Sequence, residues 1–195
     1  MVSVDFQQVQ PLTERGDWDQ VLAIMTGAAK AVERGGADFL LICANTIHRL
    51  AGGIGREIGI PILHIVDATA TEIRKAGLDR IGLLGTRFTM EEDFFRGRLR
   101  DRHGIETLTP GPEGRRRVHR IIIDELAAGV VRPESRAEVW RIIDDLEKRG
   151  ARGVILGCTE LPLLVTQERD RLPLFDTLTI HAAAAVERAL ADGPG

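Results

Sequence analysis

The chain has 195 residues, 44% of them hydrophobic and 28% charged, a balance typical of a globular protein with a substantial core. Its net charge is −3 and no long block carries one sign, so we expect no nucleic-acid or membrane partner. The segment MVSVDFQQVQ does not resemble a signal peptide, and no Cys/His cluster has zinc-ligand spacing. We therefore expect a cytoplasmic protein without a metal, whose cysteines are free thiols.

Strand-like and helix-like segments alternate along the chain. In chain order, the predicted elements are a strand at 2–6, a helix at 17–34, a strand at 39–44, a helix at 46–57, a strand at 61–66, a helix from 67 to 76, a strand at 80–85, a helix at 89–102, a strand at 105–108, helices at 113–128 and 134–149, strands at 154–157 and 173–175, and a helix at 180–191. Asp17 and Asp67 are predicted N-caps. This alternation predicts an α/β fold with parallel sheets joined by right-handed crossovers.

Chemically useful side chains follow several of these strands. In parallel sheets, ligands bind beyond the carboxyl ends of the strands. By that rule Cys43, Cys158, Thr86 and Asp176 lie at one end of the molecule. The alternative for a lone cysteine is that it is an inert buried residue.

The segment after the strand at 154–157 is suited to thiol chemistry. Cys158 precedes Thr159 and Glu160 at a predicted strand-to-helix turn. Unpaired backbone N–H groups at such a turn stabilise a thiolate. We therefore predict that Cys158 is a reactive thiol, and the alternative is a buried inert one.

A second group of polar residues is suited to binding a small carboxylate. Asn45 and Thr46 stand at the start of a predicted helix, where they either cap it or hold an anion. Thr86 offers the same chemistry after the strand at 80–85. His181, in the closing helix, is either a structural histidine or a polar group near the site.

Several segments together resemble the aspartate/glutamate racemase family, the cofactor-independent amino-acid racemases. The segments that carry the resemblance are SVDF (3–6), ICANTIH (42–48), HIVDATA (64–70), GLLGTRFTMEEDFF (82–95), GCTELP (157–162) and FDTLTIHA (175–182). They extend over essentially the whole chain. The most specific of them are GCTELP and the NT-x-H segment, in this order.

The resemblance implies two similar lobes, 1–77 with 177–195 and 78–176, with the active site in the cleft between them. It implies an isomerase that moves the α-proton of an acidic amino acid, aspartate or glutamate, without pyridoxal phosphate or another cofactor. A thiolate removes the proton, and a thiol on the opposite face returns one. The resemblance also implies a homodimer.

The resemblance assigns roles to individual residues. It makes Cys158 a catalytic acid/base and Cys43 the candidate for the second one. The residues implied to bind the substrate or to set the polarity around it are Asn45, Thr46, Thr86, Thr159, Glu160 and His181.

The chain departs from the family pattern in two places. Where members with two catalytic cysteines have the first one, directly before Asn-Thr, this chain has Ala44, and Cys43 stands one residue earlier. Because successive side chains on a strand point to opposite faces, we expect Cys43 to be buried and structural. We also expect the strand and Gly-rich loop with which family members usually begin to be absent from this chain.

These departures keep two alternatives to a racemase open. A chain with one working thiol resembles the related arylmalonate decarboxylases, in which a single cysteine protonates an enolate on one face. A chain without a second base could instead be a catalytically weak or inactive amino-acid-binding paralogue.

Overall fold

The computed structural model describes residues 1–168 and 171–191 and has an α/β architecture with two parallel sheets flanked by helices, as predicted. The chain divides into two compact units, 1–42 with 47–64 and 43–46 with the residues from 65 on. These units are defined by their internal contacts. The lobes implied by the resemblance, 1–77 with 177–195 and 78–176, stay a prediction.

The first unit is built around a two-stranded parallel sheet in which Leu40 pairs with Ile62. Its elements are α1 (Phe6–Arg15), α2 (Trp18–Arg34), β1 (Leu40–Leu41), a 3₁₀ turn (Thr46–Leu50), α3 (Ala51–Gly55) and β2 (Ile62–Leu63). The first residue of the 3₁₀ turn, Thr46, belongs to the second unit. Helix α2 packs against α1, α3 and β1 and buries Val21 and Ala29. The rings of His48 and His64, both buried in this unit, have centroids 4.6 Å apart.

The second unit contains a four-stranded, fully parallel sheet in the order β4-β3-β5-β6. Its elements are α4 (Ile65–Lys75), β3 (Arg80–Gly85), α5 (Arg87–Glu91), α6 (Asp93–His103), β4 (Glu106–Leu108), α7 (Pro112–Arg120), a π-helical turn (Ile121–Glu125), a 3₁₀ turn (Leu126–Ala128), α8 (Pro133–Lys148), β5 (Val154–Gly157), α9 (Leu161–Leu164), β6 (Leu174–Asp176) and α10 (Thr177–Ala191).

Each face of this sheet has its own hydrophobic core. Val154 and Leu156 of β5 belong to one core, together with residues of α7, α8 and α9, and Cys158 continues the same face. Ile155, between them in sequence, belongs to the other core, with residues of α4 and α6. This alternation follows from the period-2 geometry of a strand, and burial on both faces explains why β3 and β5 read as continuous apolar runs.

Two local predictions are wrong. Residues 2–6 do not form a strand, because Asp5 caps α1 and its Oδ1 accepts a hydrogen bond from the backbone N–H of Gln7 at 2.9 Å. Asp67 is not an N-cap, because α4 begins at Ile65. Its carboxylate instead accepts a hydrogen bond from Arg98 Nε at 2.7 Å. No helix within residues 1–168 and 171–191 is long and apolar enough to cross a membrane.

Candidate active site

The carboxyl ends of β3, β5 and β6 bring three polar residues together. Gly85 pairs with Gly157, and Leu156 pairs with Asp176, so β3 and β5 end at the same level and β6 ends one residue earlier. The residues that follow are Thr86, Cys158 and Thr177. Neighbouring strands lie about 4.8 Å apart, and Cys158 follows the strand that lies between the two strands leading into the threonines.

A glycine ends each of the paired strands β3 and β5. A β-carbon at Gly157 would lie 2.8 Å from the carbonyl oxygen of Leu84, and one at Gly85 would lie 2.8 Å from the carbonyl oxygen of Gly157. Neither backbone atom can move aside as a flexible side chain could. Glycine at both positions therefore allows the strand ends that carry Thr86 and Cys158 to stay paired.

The segment Asn45–Thr46 crosses the ends of these strands. Asn45 Nδ2 donates to Thr177 Oγ1 at 2.9 Å, on the β6 side of Cys158. Thr46 Oγ1 lies 3.0 Å from Thr86 Oγ1, on the β3 side. Since β3 and β6 are the two neighbours of β5, two consecutive residues span the strand that carries Cys158. Asn45 and Thr46 therefore contact residues at the ends of both strands that flank β5, while the assignment of Asn45, Thr46, Thr86 and Cys158 to one site stays a prediction.

The Cys158 thiol is buried and hydrogen-bonded. Its side chain is 8% exposed, and its Sγ donates to Glu160 Oε2 at 2.8 Å. Burial raises the pKa of the thiol, and the negative charge of Glu160 raises it further, while the backbone N–H groups of Glu160 and Thr159 lower it by less. The N–H groups expected to stabilise a thiolate are therefore present, but the net effect keeps Cys158 protonated until a base takes its proton.

Three other residues singled out in the sequence lie near these strand ends. Thr159 directly follows Cys158 and is half-buried. His181 is buried on α10, one helical turn after Thr177. Asp176 caps α10, since its Oδ1 accepts from the backbone N–H of Leu178 at 2.9 Å.

The environment of Cys43 differs from the expected one. We predicted a buried thiol, and the structure exposes Cys43. It lies beyond the end of β1, outside any strand, so the two-face alternation used for that prediction does not apply to it. Ala44, at the position that directly precedes Asn45, has no group that can exchange a proton.

Sequence reasoning missed Thr177 and Thr89. Thr177 is fully buried and its hydroxyl joins Asn45 to the carbonyl oxygen of Leu156. The Thr89 hydroxyl, also fully buried, lies 3.3 Å from Thr86 Oγ1. The position of Thr177 directly after a strand was a usable signal, because Thr86 was singled out on the same ground. Among the residues described here, no group of three or more His, Cys, Asp or Glu side chains could hold a metal ion.

Comparisons with known proteins agree with this geometry. The family model for Asp/Glu/hydantoin racemases matches residues 3–185. A Yersinia pestis protein assigned to the Asp/Glu racemases has a crystal structure that is 46% identical, with a TM-score of 0.88, covering 96% of this chain and 82% of that one. The crystal structure of an aspartate racemase homologue from Pyrococcus horikoshii OT3 is 37% identical, with a TM-score of 0.82, covering 97% of this chain and 82% of that one.

A curated relative gives the same assignment. The broad-specificity amino-acid racemase RacX of Bacillus subtilis (strain 168) is 25% identical over 176 residues, which are 87% of this chain and 72% of the relative. Because racemases are isomerases, the names of these relatives indicate an isomerase. The family model alone covers most of the chain, which confirms the resemblance predicted from the sequence. The chain belongs to the Asp/Glu/hydantoin racemase family.

Proposed function

We propose that the chain is an amino-acid racemase or epimerase that needs no pyridoxal phosphate and moves the α-proton of an acidic amino acid, aspartate or glutamate, with Cys158 as the thiol acid/base. The observation that carries the proposal is the pairing of Cys158 Sγ with Glu160 Oε2 at 2.8 Å, after a strand whose two neighbours end in residues bonded by the crossing segment Asn45–Thr46. Relatives named as an amino-acid racemase and an aspartate racemase homologue support the class of reaction.

Proton removal begins with Glu160. Because burial and the adjacent carboxylate raise the pKa of Cys158, the thiol is protonated at rest. Glu160 takes this proton along the existing hydrogen bond, which leaves a thiolate. The thiolate then takes the α-proton, the electrons of the Cα–H bond move into an enolate-like carboxylate, and Cys158 is again a thiol. Water then donates a proton to the opposite face of the intermediate, which inverts the configuration, and the hydroxide that remains takes the proton held by Glu160.

The hydroxyl groups at the strand ends are suited to hold the α-carboxylate. Thr46 Oγ1 and Thr86 Oγ1 lie 3.0 Å apart, so two hydroxyl groups that can donate to a carboxylate lie side by side. Thr159 adds a third hydroxyl next to Cys158, and His181 contributes polarity from α10. Such donors stabilise charge that develops on the carboxylate in the enolate-like intermediate.

The side-chain carboxylate of an acidic substrate needs a cation. Arg87 directly follows Thr86, is exposed, and places its guanidinium 4.6 Å from the ring centroid of Phe88. Within the described part of the chain it forms no ion pair, so we propose it as the partner of that carboxylate. We also propose, on the family resemblance, that the protein works as a cytoplasmic homodimer.

A second candidate function follows from Ala44. Cys43 is exposed and Ala44 cannot carry a proton, so these two residues offer no clear second base. A protein with Cys158 as its only proton carrier exchanges the α-proton on one face or protonates an enolate, as a decarboxylase-like relative would. A protein that also lacks this step is an amino-acid-binding paralogue.

Solvent exchange separates these functions. The protein is incubated with L-aspartate or L-glutamate in D2O, the α-proton is followed by NMR, and enantiomers are separated by chiral chromatography. Racemisation gives loss of the α-proton signal with formation of the D-enantiomer. Exchange with retention of the L-enantiomer indicates chemistry on the Cys158 face alone. Saturable binding without exchange indicates the binding paralogue and would overturn the proposed activity.

A further inference from the structure

We propose that Thr177 is a positioning residue that fixes the Asn45 carboxamide as an acceptor for the α-ammonium group of the amino acid, an inference that rests on the proposed function. The sequence alone had suggested that Asn45 binds the carboxylate. Three features of the second unit argue for the ammonium group instead: the direction of a hydrogen-bond chain, an unpaired oxygen, and the place where the segment crosses the sheet.

The direction of the hydrogen-bond chain is fixed at its inner end. Thr177 Oγ1 lies 2.9 Å from the carbonyl oxygen of Leu156, which can only accept, so the single hydroxyl proton of Thr177 is directed there. The same hydroxyl must then accept from Asn45, at 2.9 Å. The atom of Asn45 that faces Thr177 is therefore the amide nitrogen, and the two possible orientations of the carboxamide are resolved by the network.

This orientation leaves the Asn45 carbonyl oxygen without a donor. Asn45 is 4% exposed, and Oδ1 is inaccessible to solvent with no hydrogen-bond partner among residues 1–168 and 171–191. Buried acceptors are nearly always paired in folded proteins. A ligand that satisfies this oxygen must bring an N–H or O–H group, which an α-ammonium has and a carboxylate lacks.

The crossing segment then orients the amino acid over Cys158. Asn45 is bonded on the β6 side of β5, and Thr46 on the β3 side. The acceptor for the ammonium therefore lies on one side of the thiol, and the hydroxyl donors for the α-carboxylate lie on the other. The α-carbon, which carries both groups, is placed between them, beyond the end of β5, the strand that Cys158 follows.

The test compares L-aspartate with succinate, which has the same two carboxylates and no ammonium group. Dissociation constants are measured by calorimetry for the full chain, for Thr177→Val and for the matched control Thr177→Ser. A hydrogen bond to a charged group is worth about tenfold or more in affinity, so Thr177→Val should weaken aspartate binding by about that factor and leave succinate within about twofold. Thr177→Ser keeps the hydroxyl and should restore the aspartate preference.

The competing explanation is that Thr177 only supports the fold. Equal losses for aspartate and succinate in Thr177→Val, or no loss for either, would overturn the positioning role. In D2O exchange, the positioning role predicts a larger change in KM than in kcat. If Thr177→Val does not fold, Asn45→Ala replaces it. Removal of the acceptor should also lower the preference for aspartate over succinate. An unchanged preference would overturn the inference.

Failure of the proposed function gives a different result. If the unmodified chain exchanges the α-proton but Thr177→Val keeps the wild-type ratio of aspartate to succinate affinity, the positioning role is wrong and the proposed function stands. If the unmodified chain binds no acidic amino acid and exchanges no α-proton, the proposed function is wrong and the positioning role is overturned with it.

Discussion

The segments 39–48 and 153–162 have similar sequences but different surroundings. Cys158 follows a four-residue strand inside the four-stranded sheet, and it is buried beside Glu160. Cys43 lies beyond a two-residue strand, and it is exposed. The similarity of the two segments therefore extends to the apolar run and the polar residues after it, and does not extend to the thiol.

The comparison teaches that the neighbours of a cysteine decide its chemistry. Burial and a carboxylate control the protonation of Cys158. Cys43 is exposed, although it also follows an apolar run. A thiol at the end of a parallel strand is a candidate acid/base only where the strand is held in a sheet that supplies a partner for its proton.

Replacement of Cys158 is the change with the largest expected effect. Cys158→Ala removes the proposed proton carrier, so we expect α-proton exchange with the acidic amino acid to fall by about 10³-fold or more, the range of general acid–base catalysis. The NMR exchange rate in D2O measures the loss, and circular dichroism serves as the control for folding. Substantial exchange by a folded Cys158→Ala protein would contradict the site assignment.

Replacement of Glu160 separates its charge from its role as proton acceptor. Glu160→Gln removes the negative charge that raises the pKa of Cys158, so the thiolate should form at lower pH. Exchange should nevertheless slow by about 10- to 100-fold, because the acceptor for the thiol proton is lost. The pH dependence of Cys158 alkylation is measured in a Cys43→Ala background. A midpoint that moves to higher pH would contradict the proposed electrostatic effect.

Replacement of Gly157 tests the position directly before Cys158. When Ala44 is aligned with Cys158, the residue that corresponds to Gly157 is Cys43, which is exposed. A β-carbon at Gly157 would instead lie 2.8 Å from the carbonyl oxygen of Leu84. Gly157→Ala should therefore destabilise the protein by about 1–3 kcal/mol. Gly27→Ala is the control, since nothing lies within 4 Å of its added β-carbon in α2. It should stabilise by about 0.5–1 kcal/mol, and urea denaturation measures both changes.

Cys43→Ala is expected to have the smallest effect. Because the thiol is exposed and has no assigned role, the exchange rate should stay within about twofold of the unmodified protein, as is usual for surface substitutions. Alkylation of the native protein followed by peptide mass spectrometry should modify Cys43 first and Cys158 only slowly. A large loss of exchange in Cys43→Ala would make it the second base and restore the symmetry of the two segments.

Much of the fold could be predicted because it depends on local pattern. Strands β3 and β5 have the predicted bounds, since strands buried on both faces are continuous apolar runs. Helix α1 was missed because Pro11 and several polar residues obscure its periodicity. The start of α4 was missed because Ile65 and Val66 extend an apolar run that begins in β2, and periodicity cannot divide such a run between strand and helix.

The candidate site could be predicted only in part. The types of residue at the strand ends identified Cys158, Thr86 and the Asn45–Thr46 segment. The role of Thr177 could not be read in this way, because its partner Asn45 is 132 residues away in sequence and only the folded sheet brings the two together. The exposure of Cys43 was also beyond local reasoning, since it depends on where the strand stops rather than on the residues within it.

The crossing segment also has a consequence for the order of folding. Its hydrogen bonds join residue 45 to residue 177 and residue 46 to residue 86, and closing such long loops is entropically costly. The sheet that receives these bonds must already be paired, so the crossing should form late on the folding pathway. In a stopped-flow refolding experiment, we expect far-ultraviolet circular dichroism to recover before ligand affinity does.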